Sequence, residues 1–480
     1  MTIQKLAYFP FFWICKYVNA LDNLKQSGKL YGMLKLGYVS LIFGILLVGG
    51  CSSYAPPSQE AMIVESSERL YVGSLGMKEN PAAFALPESV ADKTRLSAED
   101  MVLIALWNNP ELQEALSGLG VERGRIITAA HFANPRLTFM LPLGYRQFEF
   151  LAVHPILDTW LLRPQRIELA TKNAAYYART LEEQCLDVML RVRLLCAQLN
   201  YNTAVRQNLL QEKQAAERLM EAQRLLVEHG RAGTVELMQL ELEMSLLDAS
   251  IQRETLNREE IKHNLNKVMG ASERPWEWEF KADAVELPVV AQSREELIKL
   301  ALVSRPSLRA TEIQMESIAQ KHNIAAREIW NFLVGVSDKE FGESKASGWT
   351  ISLGIDLPVF NQNEGGKAVA KAELDKALRT YETQRNAIAH DIVAALQVLT
   401  NSQAQLERFE RVVVPAAVRY QEQVKQFVEI GREGQQSLLL AEQQLEKVKA
   451  ARAQCVYQYQ CAYYQLERAI AGSLQSRSPH

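Results

Sequence analysis

The sequence predicts a mainly α-helical protein with a small β part, in which long antiparallel coiled-coil helices form an α-barrel and carry two β-hairpins. Apolar residues recur every three or four positions over stretches far longer than an ordinary globular helix, and two short alternating segments interrupt them. The two halves of the chain also repeat one another at an offset of about 200 residues. These observations together predict an internal tandem duplication.

The N-terminus has the features of a bacterial signal peptide. Residues 36–48 are apolar but short for a membrane span, follow two lysines, and run into Gly49-Gly50-Cys51. This ending resembles the lipobox, in which a cysteine thiol receives acyl chains such as palmitate before cleavage. We expect residues 1–50 to be removed, translation to start at Met33, and Cys51 to be the lipidation site.

The remaining chain divides into a leader, two repeats, a linker and a tail. Residues 51–96 contain four prolines and lack sustained periodicity, which predicts a lipidated extended leader. Ser97 and Ser293, each followed by acidic residues, are capping signals for an opening helix of about 35 residues in each repeat. The expected boundaries are a first repeat at 97–270 (β-hairpin 136–153, long helix 164–229, half helix 234–269), a linker at 271–292, a second repeat at 293–472 (β-hairpin 332–357, long helix 364–430, half helix 435–471) and a tail at 473–480.

Composition and side-chain spacing exclude several functions. The 53 basic and 56 acidic residues nearly balance, so there is no electrostatic reason to expect nucleic acid. Seven histidines lack ligand spacing, and neither a phosphate-binding glycine loop nor a nucleophile elbow is present. The pairs Glu182-Glu183 and Glu259-Glu260 fit solvated helix faces better than catalytic carboxylates. We therefore expect no enzyme activity, catalytic residue, metal site or cofactor.

Four further cysteines lie in helical patterns without metal-ligand spacing: Cys185, Cys196, Cys455 and Cys461. We expect these cysteines to be small core residues. A disulfide between them is the open alternative, because the periplasm is oxidising.

The predicted strands require more than one copy of the chain. Four strands cannot close a barrel, and an open sheet edge in lipid would leave backbone amides unpaired. Three copies would supply a shared trimeric β-barrel of twelve strands. In residues 349–356 apolar side chains alternate with Thr350, Ser352, Gly354 and Asp356, a polar face that suits a wet lumen.

The chain resembles the TolC-like outer-membrane efflux channels, in particular the lipoprotein branch that serves resistance-nodulation-division (RND) pumps. The resemblance covers about residues 97–472. It is carried by the openings at Pro110 and Pro306, by Leu357-Pro358-Val-Phe-Asn361, by Val414-Pro415-Ala-Ala417, and by two glycine turns, Gly230-Arg-Ala-Gly233 and Gly431-Arg-Glu-Gly434. It implies a passive, gated homotrimer in the outer membrane that extends into the periplasm. The implied partners are a periplasmic adaptor (membrane fusion protein), an inner-membrane pump and outer-membrane lipids.

The same resemblance implies roles for the turns. In this family they form the periplasmic tips, where adaptors dock and the channel closes. The tip positions here are Gly230, Arg231, Gly233, Gly431, Arg432 and Gly434, and the gate candidates are Arg432 and Glu433. Pro415, inside a long helix, predicts a kink.

Two alternatives stay open. One is a periplasmic coiled-coil scaffold or adaptor lipoprotein whose alternating segments form a small sheet domain, which the short first hairpin favours. The other is the outer-membrane exit duct of a type I protein secretion system, which shares the fold of an efflux channel.

Overall fold

The computed structural model describes most of the chain from Tyr54 onwards. The described residues are 54–70, 75, 80, 83–140, 149–156, 158–231, 233–271, 278–280, 290, 292–327, 330, 332–341, 346–360, 362–472 and 474. They fall into a helical unit, of residues 56–126, 165–330 and 357–480, and a sheet unit that includes residues 127–164 and 331–356. The predicted signal peptide, Cys51 and most of the tail lie outside the described residues.

The described residues are mainly helical with a small β part, as the sequence predicts. The helices are α1 (Gln59–Leu70), α2 (Ala98–Asn108), α3 (Pro110–Ala130), α4 (Arg163–Glu228), α5 (Thr234–Val268), α6 (Arg294–Ser304), α7 (Pro306–Arg327), α8 (Glu364–Arg408), α9 (Val414–Glu429) and α10 (Gln435–Ile470). The strands are β1 (Arg95–Leu96), β2 (Arg136–Met140), β3 (Glu149–Pro155), β4 (Glu279–Phe280), β5 (Phe332–Phe341) and β6 (Ala346–Ile355). Two π-helical turns, Asp158–Leu162 and Phe409–Val413, precede α4 and α9.

The leader is not extended throughout, contrary to the sequence-based expectation. Helix α1 starts after Ser58, whose hydroxyl accepts a hydrogen bond from the Ala61 N–H at 3.1 Å. Ile63 is buried in the first helical core, and Gln59 Nε2 donates to the Leu116 carbonyl at 2.9 Å. The helix forms because α3 offers an apolar surface to pack on, a tertiary effect that the surrounding prolines conceal in the sequence.

Each repeat opens with two helices instead of one helix of about 35 residues. Both α2 and α6 begin with a capping box, in which Ser97 Oγ accepts from the Asp100 N–H at 3.2 Å and Ser293 Oγ accepts from the Glu296 N–H at 3.3 Å. Both helices end two residues before a proline, at Asn108 and Ser304, because proline lacks an N–H and disfavours helical geometry in the residue before it. Helices α3 and α7 then start at those prolines.

Helix α5 ends beside the break between α2 and α3, and helix α10 ends beside the break between α6 and α7. Asn109 Nδ2, between α2 and α3, donates a buried hydrogen bond to the Val268 carbonyl at 2.8 Å. Gly270 follows α5 with a φ of +67°, and a Cβ at this position would collide with a backbone carbonyl oxygen of α2, so glycine is required. In the second repeat Ser304 Oγ donates to the carbonyl of Ile470. Short and half helices therefore meet end to end in both repeats.

A short parallel pair joins the linker to the start of the first repeat. Strand β1 pairs with β4, with Arg95 opposite Glu279 and Leu96 opposite Phe280. Arg95 Nε also lies 2.7 Å from Glu279 Oε2. The linker between the repeats thus returns to the point where the first repeat begins.

Two large apolar clusters lie in the described part of the helical unit. The first joins α1, α2 and α3 to the middle of α4 and the end of α5, and the second joins α6 and the start of α7 to α8 and α10. The four cysteines discussed above are free thiols, so no disulfide forms among them. Burial raises the pKa of the Cys185 thiol to about 12, which makes it an inert core residue.

The sheet unit contains a four-stranded antiparallel sheet in the order β2-β3-β5-β6. In its register Leu137 lies opposite Ala152, Ala152 opposite Val336, and Val336 opposite Ile351. The first hairpin is shorter, with strands of 5 and 7 residues against 10 and 10 in the second. Strands β2 and β6 lie at the two edges, and no described strand pairs with their outer sides.

The two faces of this sheet differ in chemistry. Residues opposite one another share a face and neighbours along a strand alternate, so the register sorts the side chains. One face is mainly apolar and carries Leu137, Phe139, Ala152, Val334, Val336, Ile351 and Leu353, together with His154. The other face is mixed, with Arg136, Thr138, Gly335, Ser337, Thr350 and Ser352 beside the apolar Met140, Leu151, Val153 and Leu333. The apolar face is open to solvent in the single chain, since Ile351 is 74% and Leu353 82% exposed.

Candidate functional site

The first helical turnaround is built around Gly230, between α4 and α5. Gly230 has a φ of +69°, a conformation that β-carbon-bearing residues rarely adopt. The Arg231 N–H donates to the Leu226 carbonyl at 2.8 Å, which satisfies one of the last acceptors of α4. Gly233 then precedes α5 in extended conformation, with a φ of −82°. Only the leading glycine of this turn is required for its backbone conformation.

The second turnaround, between α9 and α10, has the same geometry. Gly431 has a φ of +70°, and the Arg432 N–H donates to the Phe427 carbonyl at 2.9 Å. Gly434 precedes α10 in extended conformation, with a φ of −87°. The sequence-predicted tip glycines therefore occupy matching positions in two matching turns.

The charged tip residues point to solvent. Arg231 and Arg432 are both exposed, and neither guanidinium forms an ion pair or hydrogen bond with the described residues of the same chain. Glu433 Oε2 instead accepts a hydrogen bond from Ser437 Oγ at 2.8 Å. The Arg432 guanidinium is thus available to contact another molecule. The gate role of Arg432 and Glu433 stays a prediction.

A polar contact between α5 and α10, which the sequence did not indicate, lies behind the tips. Gln443 is buried and its amide donates to Glu243 Oε1. Glu212 of α4 lies in the same environment, where burial raises the pKa of its carboxyl; Lys447 opposes that shift, and Glu243 and Glu446 add to it. We call Glu212, Glu243, Gln443 and Glu446 the polar seam. Helical periodicity could not find it, because glutamate and glutamine usually mark a solvated face.

Pro415 stands at the start of α9, directly after the π-helical turn Phe409–Val413. Proline has no N–H to donate to the preceding turn, and a locally wider helix is one way to accommodate that loss. The backbone irregularity therefore falls where the sequence indicated a kink, while the bend itself stays a prediction.

A charged cluster links the two repeats through Glu183 on α4. Its carboxylate accepts from Arg468 Nη2 at 2.8 Å and from the backbone N–H of Ser307 at 3.1 Å. Glu182, beside it, is 1% exposed and pairs with Arg179 at 2.9 Å. The expectation that this glutamate pair is solvated surface was wrong for Glu182, because helix packing in three dimensions encloses it.

Two features are absent from the described residues. No group of three or more His, Cys, Asp or Glu side chains among them is arranged to hold a metal ion. None of the helices formed by those residues combines the length and apolar character of a membrane-crossing helix.

No protein-family model matches the chain. The cobalt-zinc-cadmium resistance protein CzcC of Cupriavidus metallidurans is 22% identical over 333 residues, which make up 67% of this chain and 77% of CzcC.

Several solved structures share the fold. The outer-membrane channel OprN aligns with a TM-score of 0.63 at 16% identity, over 85% of this chain and 100% of OprN. CusC aligns with a TM-score of 0.64 at 14% identity, over 84% of this chain and 100% of CusC. The CmeC outer membrane channel of Campylobacter jejuni aligns with a TM-score of 0.63 at 15% identity, over 85% of this chain and 96% of CmeC. At these identities the likeness is one of fold.

Proposed function

Since the chain has the fold of the TolC-like outer-membrane channels, we propose that it is the outer-membrane channel component of a tripartite efflux system. Three copies form a passive, gated conduit that crosses the outer membrane and extends into the periplasm. Acylation at Cys51 anchors each copy to outer-membrane lipids. The protein carries out no catalysis, and transport energy comes from its partners.

The observation that carries this proposal is the two-faced, open-edged sheet. Its mainly apolar face is exposed at Ile351 and Leu353 in the single chain, and its opposite face holds hydroxyls and glycines beside a smaller set of apolar residues such as Leu333. A membrane strand needs an apolar lipid face and a polar lumen face, and every edge in lipid must be paired. Joining β6 of one copy to β2 of the next in a ring of three removes all edges and gives twelve strands.

The tips support a docking role. They combine backbone turns fixed by Gly230 and Gly431 with exposed guanidinium groups of Arg231 and Arg432. An adaptor protein from the periplasm fits such a surface, and an inner-membrane pump of RND type would drive transport through it. The proposed gate is Arg432 with Glu433, closing against other copies at the same tip.

The cargo class is set by the pump, so the channel itself is compatible with drugs, metals or other small molecules. The likeness to CzcC, whose name refers to cobalt, zinc and cadmium resistance, favours metal cations within that range.

Two alternatives make different predictions. A periplasmic scaffold or adaptor would cover the apolar sheet face with its own chain, and in the described residues that face is open. A type I secretion duct would have the same fold, and would depend on an ABC transporter with a protein substrate in place of an RND pump.

The direct test is electrical. Purified full-length protein reconstituted into planar bilayers should give discrete conductance steps, and the conducting species should contain three copies. A single-copy species without conductance would overturn the proposal and favour the scaffold. Resistance assays in a strain lacking the channel, with single cations and single drugs supplied in turn, would then identify the cargo.

A further inference from the structure

The π-helical turn Phe409–Val413 interrupts the regular hydrogen bonding between α8 and α9. The Val414 N–H donates to the carbonyl of Phe409, five residues earlier, and Pro415 next to it has no N–H to donate. Two successive positions thus depart from the α-helical pattern, in which each N–H bonds to the fourth residue back. Interruptions of this kind are the places where long helices bend.

The first repeat has a continuous helix at the matching positions. The tip glycines Gly230 and Gly431 set the offset between the repeats at 201 residues, so Pro415 matches Gln214. Gln214 lies inside α4, which is one α-helix over Arg163–Glu228. The duplication therefore provides the same long helix twice, once continuous and once interrupted.

One ion pair joins the π-helical turn to α10. Glu410 Oε1 in the turn lies 2.6 Å from Arg452 Nη2, and the two side chains are 38% and 45% exposed. At the matching positions the first repeat has Leu209 on α4 and Ile251 on α5. An exposed ion pair is weak and is screened by salt, whereas contact between apolar side chains does not depend on charge. The second repeat therefore has an easily broken contact at the point where its helix is interrupted.

Burial of the helix also changes at this turn. Before it, the α8 side chains of Ile388, Ile392, Leu399 and Leu406 lie in the second apolar cluster. Beyond it, α9 is described at every residue, and Val424 is its one buried side chain. The helix is therefore fixed in the core before the turn and weakly anchored after it.

We propose that the turn Phe409–Val413, together with Pro415, is the hinge of the channel gate, and that the Glu410–Arg452 ion pair holds this hinge closed. Opening breaks the ion pair, and α9 then changes its angle to α8 and carries the tip at Gly431 with it. This inference rests on the proposed function, since a gate requires a channel. It assigns the joint that moves and the contact that restrains it, both of which lie outside the tip.

The first test gives the hinge the residues of the first repeat. A Glu410→Leu, Pro415→Gln, Arg452→Ile triple variant of the full chain should keep the native mass and helical content of wild type. Its opening events in planar bilayers should be at least about tenfold rarer, because a continuous helix resists bending.

The matched control is a Gln423→Ala, Lys425→Arg double variant. It also introduces first-repeat residues into α9, at two exposed positions away from the hinge, and should open as often as wild type. If wild type conducts and the triple variant opens equally often, the hinge is wrong while the channel proposal stands. If wild type does not conduct, both proposals fail.

The second test measures the restraint and does not depend on the triple variant folding. Glu410→Gln should open about threefold more often than wild type at about 0.1 M salt, and the difference should vanish at about 1 M salt, where the ion pair is screened. Glu312→Gln is the control, because it removes an exposed ion pair with Arg309 on α7 and should open as wild type does. Equal opening of Glu410→Gln and wild type at the lower salt concentration would overturn the role of the ion pair.

Discussion

The guanidinium of Arg193 on α4 lies 3.2 Å from the carboxylate of Glu467 on α10, and both side chains are largely buried. Arg193 also forms two hydrogen bonds with Glu99 of α2, at 2.9 and 3.0 Å. One side chain therefore joins three helices and both repeats. The neighbouring pair of Arg468 with Glu183 also joins the two repeats, but here the arginine lies on α10 and the glutamate on α4.

Removing Arg193 should destabilise the helical unit strongly. Arg193→Ala leaves the Glu467 carboxylate buried without its cation, and breaking a buried pair in this way costs about 3–5 kcal/mol. Denaturant melts followed by far-UV circular dichroism measure the loss. The matched control is Arg191→Ala, two residues away, whose pair with Glu111 is exposed and should contribute about 1 kcal/mol or less. Equal losses in both variants would refute the role given to Arg193.

The tip turns should tolerate substitution at one glycine and not at the other. Gly431→Val forces a β-branched residue into a φ of +70°, at a cost of at least about 1–2 kcal/mol concentrated in the turn. Gly434→Ala meets no atom within 4 Å and retains a φ of −87°, so it should behave as wild type. We expect Gly431→Val to lose adaptor capture in pull-down assays while native mass shows an intact trimer. Normal capture by this variant would count against the docking role of the tip.

The polar seam should make stability depend on pH. Burial raises the pKa of the Glu212 carboxyl above its ordinary value of 4.5, with Lys447 opposing and Glu243 and Glu446 reinforcing the shift. The folded state then holds the proton more tightly than the unfolded state, so this contribution is complete below pH 4.5 and is lost as pH rises through the raised value.

Glu212→Gln should therefore raise the thermal midpoint at neutral pH, and the gain should shrink as the buffer is acidified. Glu221→Gln, an exposed carboxylate on the same helix, is the control and should show no such trend. A gain for Glu212→Gln that is independent of pH would contradict the titration argument.

Lipidation should depend on the thiol sulfur of Cys51. Cys51→Ala removes the thiol that is acylated, so the protein should assemble normally and lose part of its membrane retention under mild extraction. Intact-mass measurement of the mature wild type should show a chain that begins at Cys51 with acyl groups attached. A mass equal to that of the unmodified precursor would refute both the signal peptide and the anchor.

The parts of the fold that the sequence predicted are those set by neighbours along the chain. The turns at Gly230 and Gly431 depend on a few adjacent residues, and the capping boxes at Ser97 and Ser293 depend on the residue three positions later. Local patterns of this kind are visible without knowledge of packing. Pro110 also marks a helix break in the sequence. The expected opening helix of about 35 residues was wrong because it continued through this proline.

The parts that the sequence did not reveal depend on contacts between distant segments. Glu182 has the spacing of a surface residue and is enclosed by helices that pack around α4. Leu240 and Leu247 lie on a buried face of α5, whereas Met238 and Leu242 belong to a second, exposed apolar face. A helix that is apolar on two faces shows a blurred periodicity, so one seam conceals the other.

The central claim is that identical chains complete one tube that none can form alone. The most direct test is an experimental structure of the full-length protein extracted from membranes. We expect three copies around an axis, with β6 of each paired to β2 of the next and the face of Ile351 and Leu353 turned to lipid. A single copy whose own helices cover that face would contradict it.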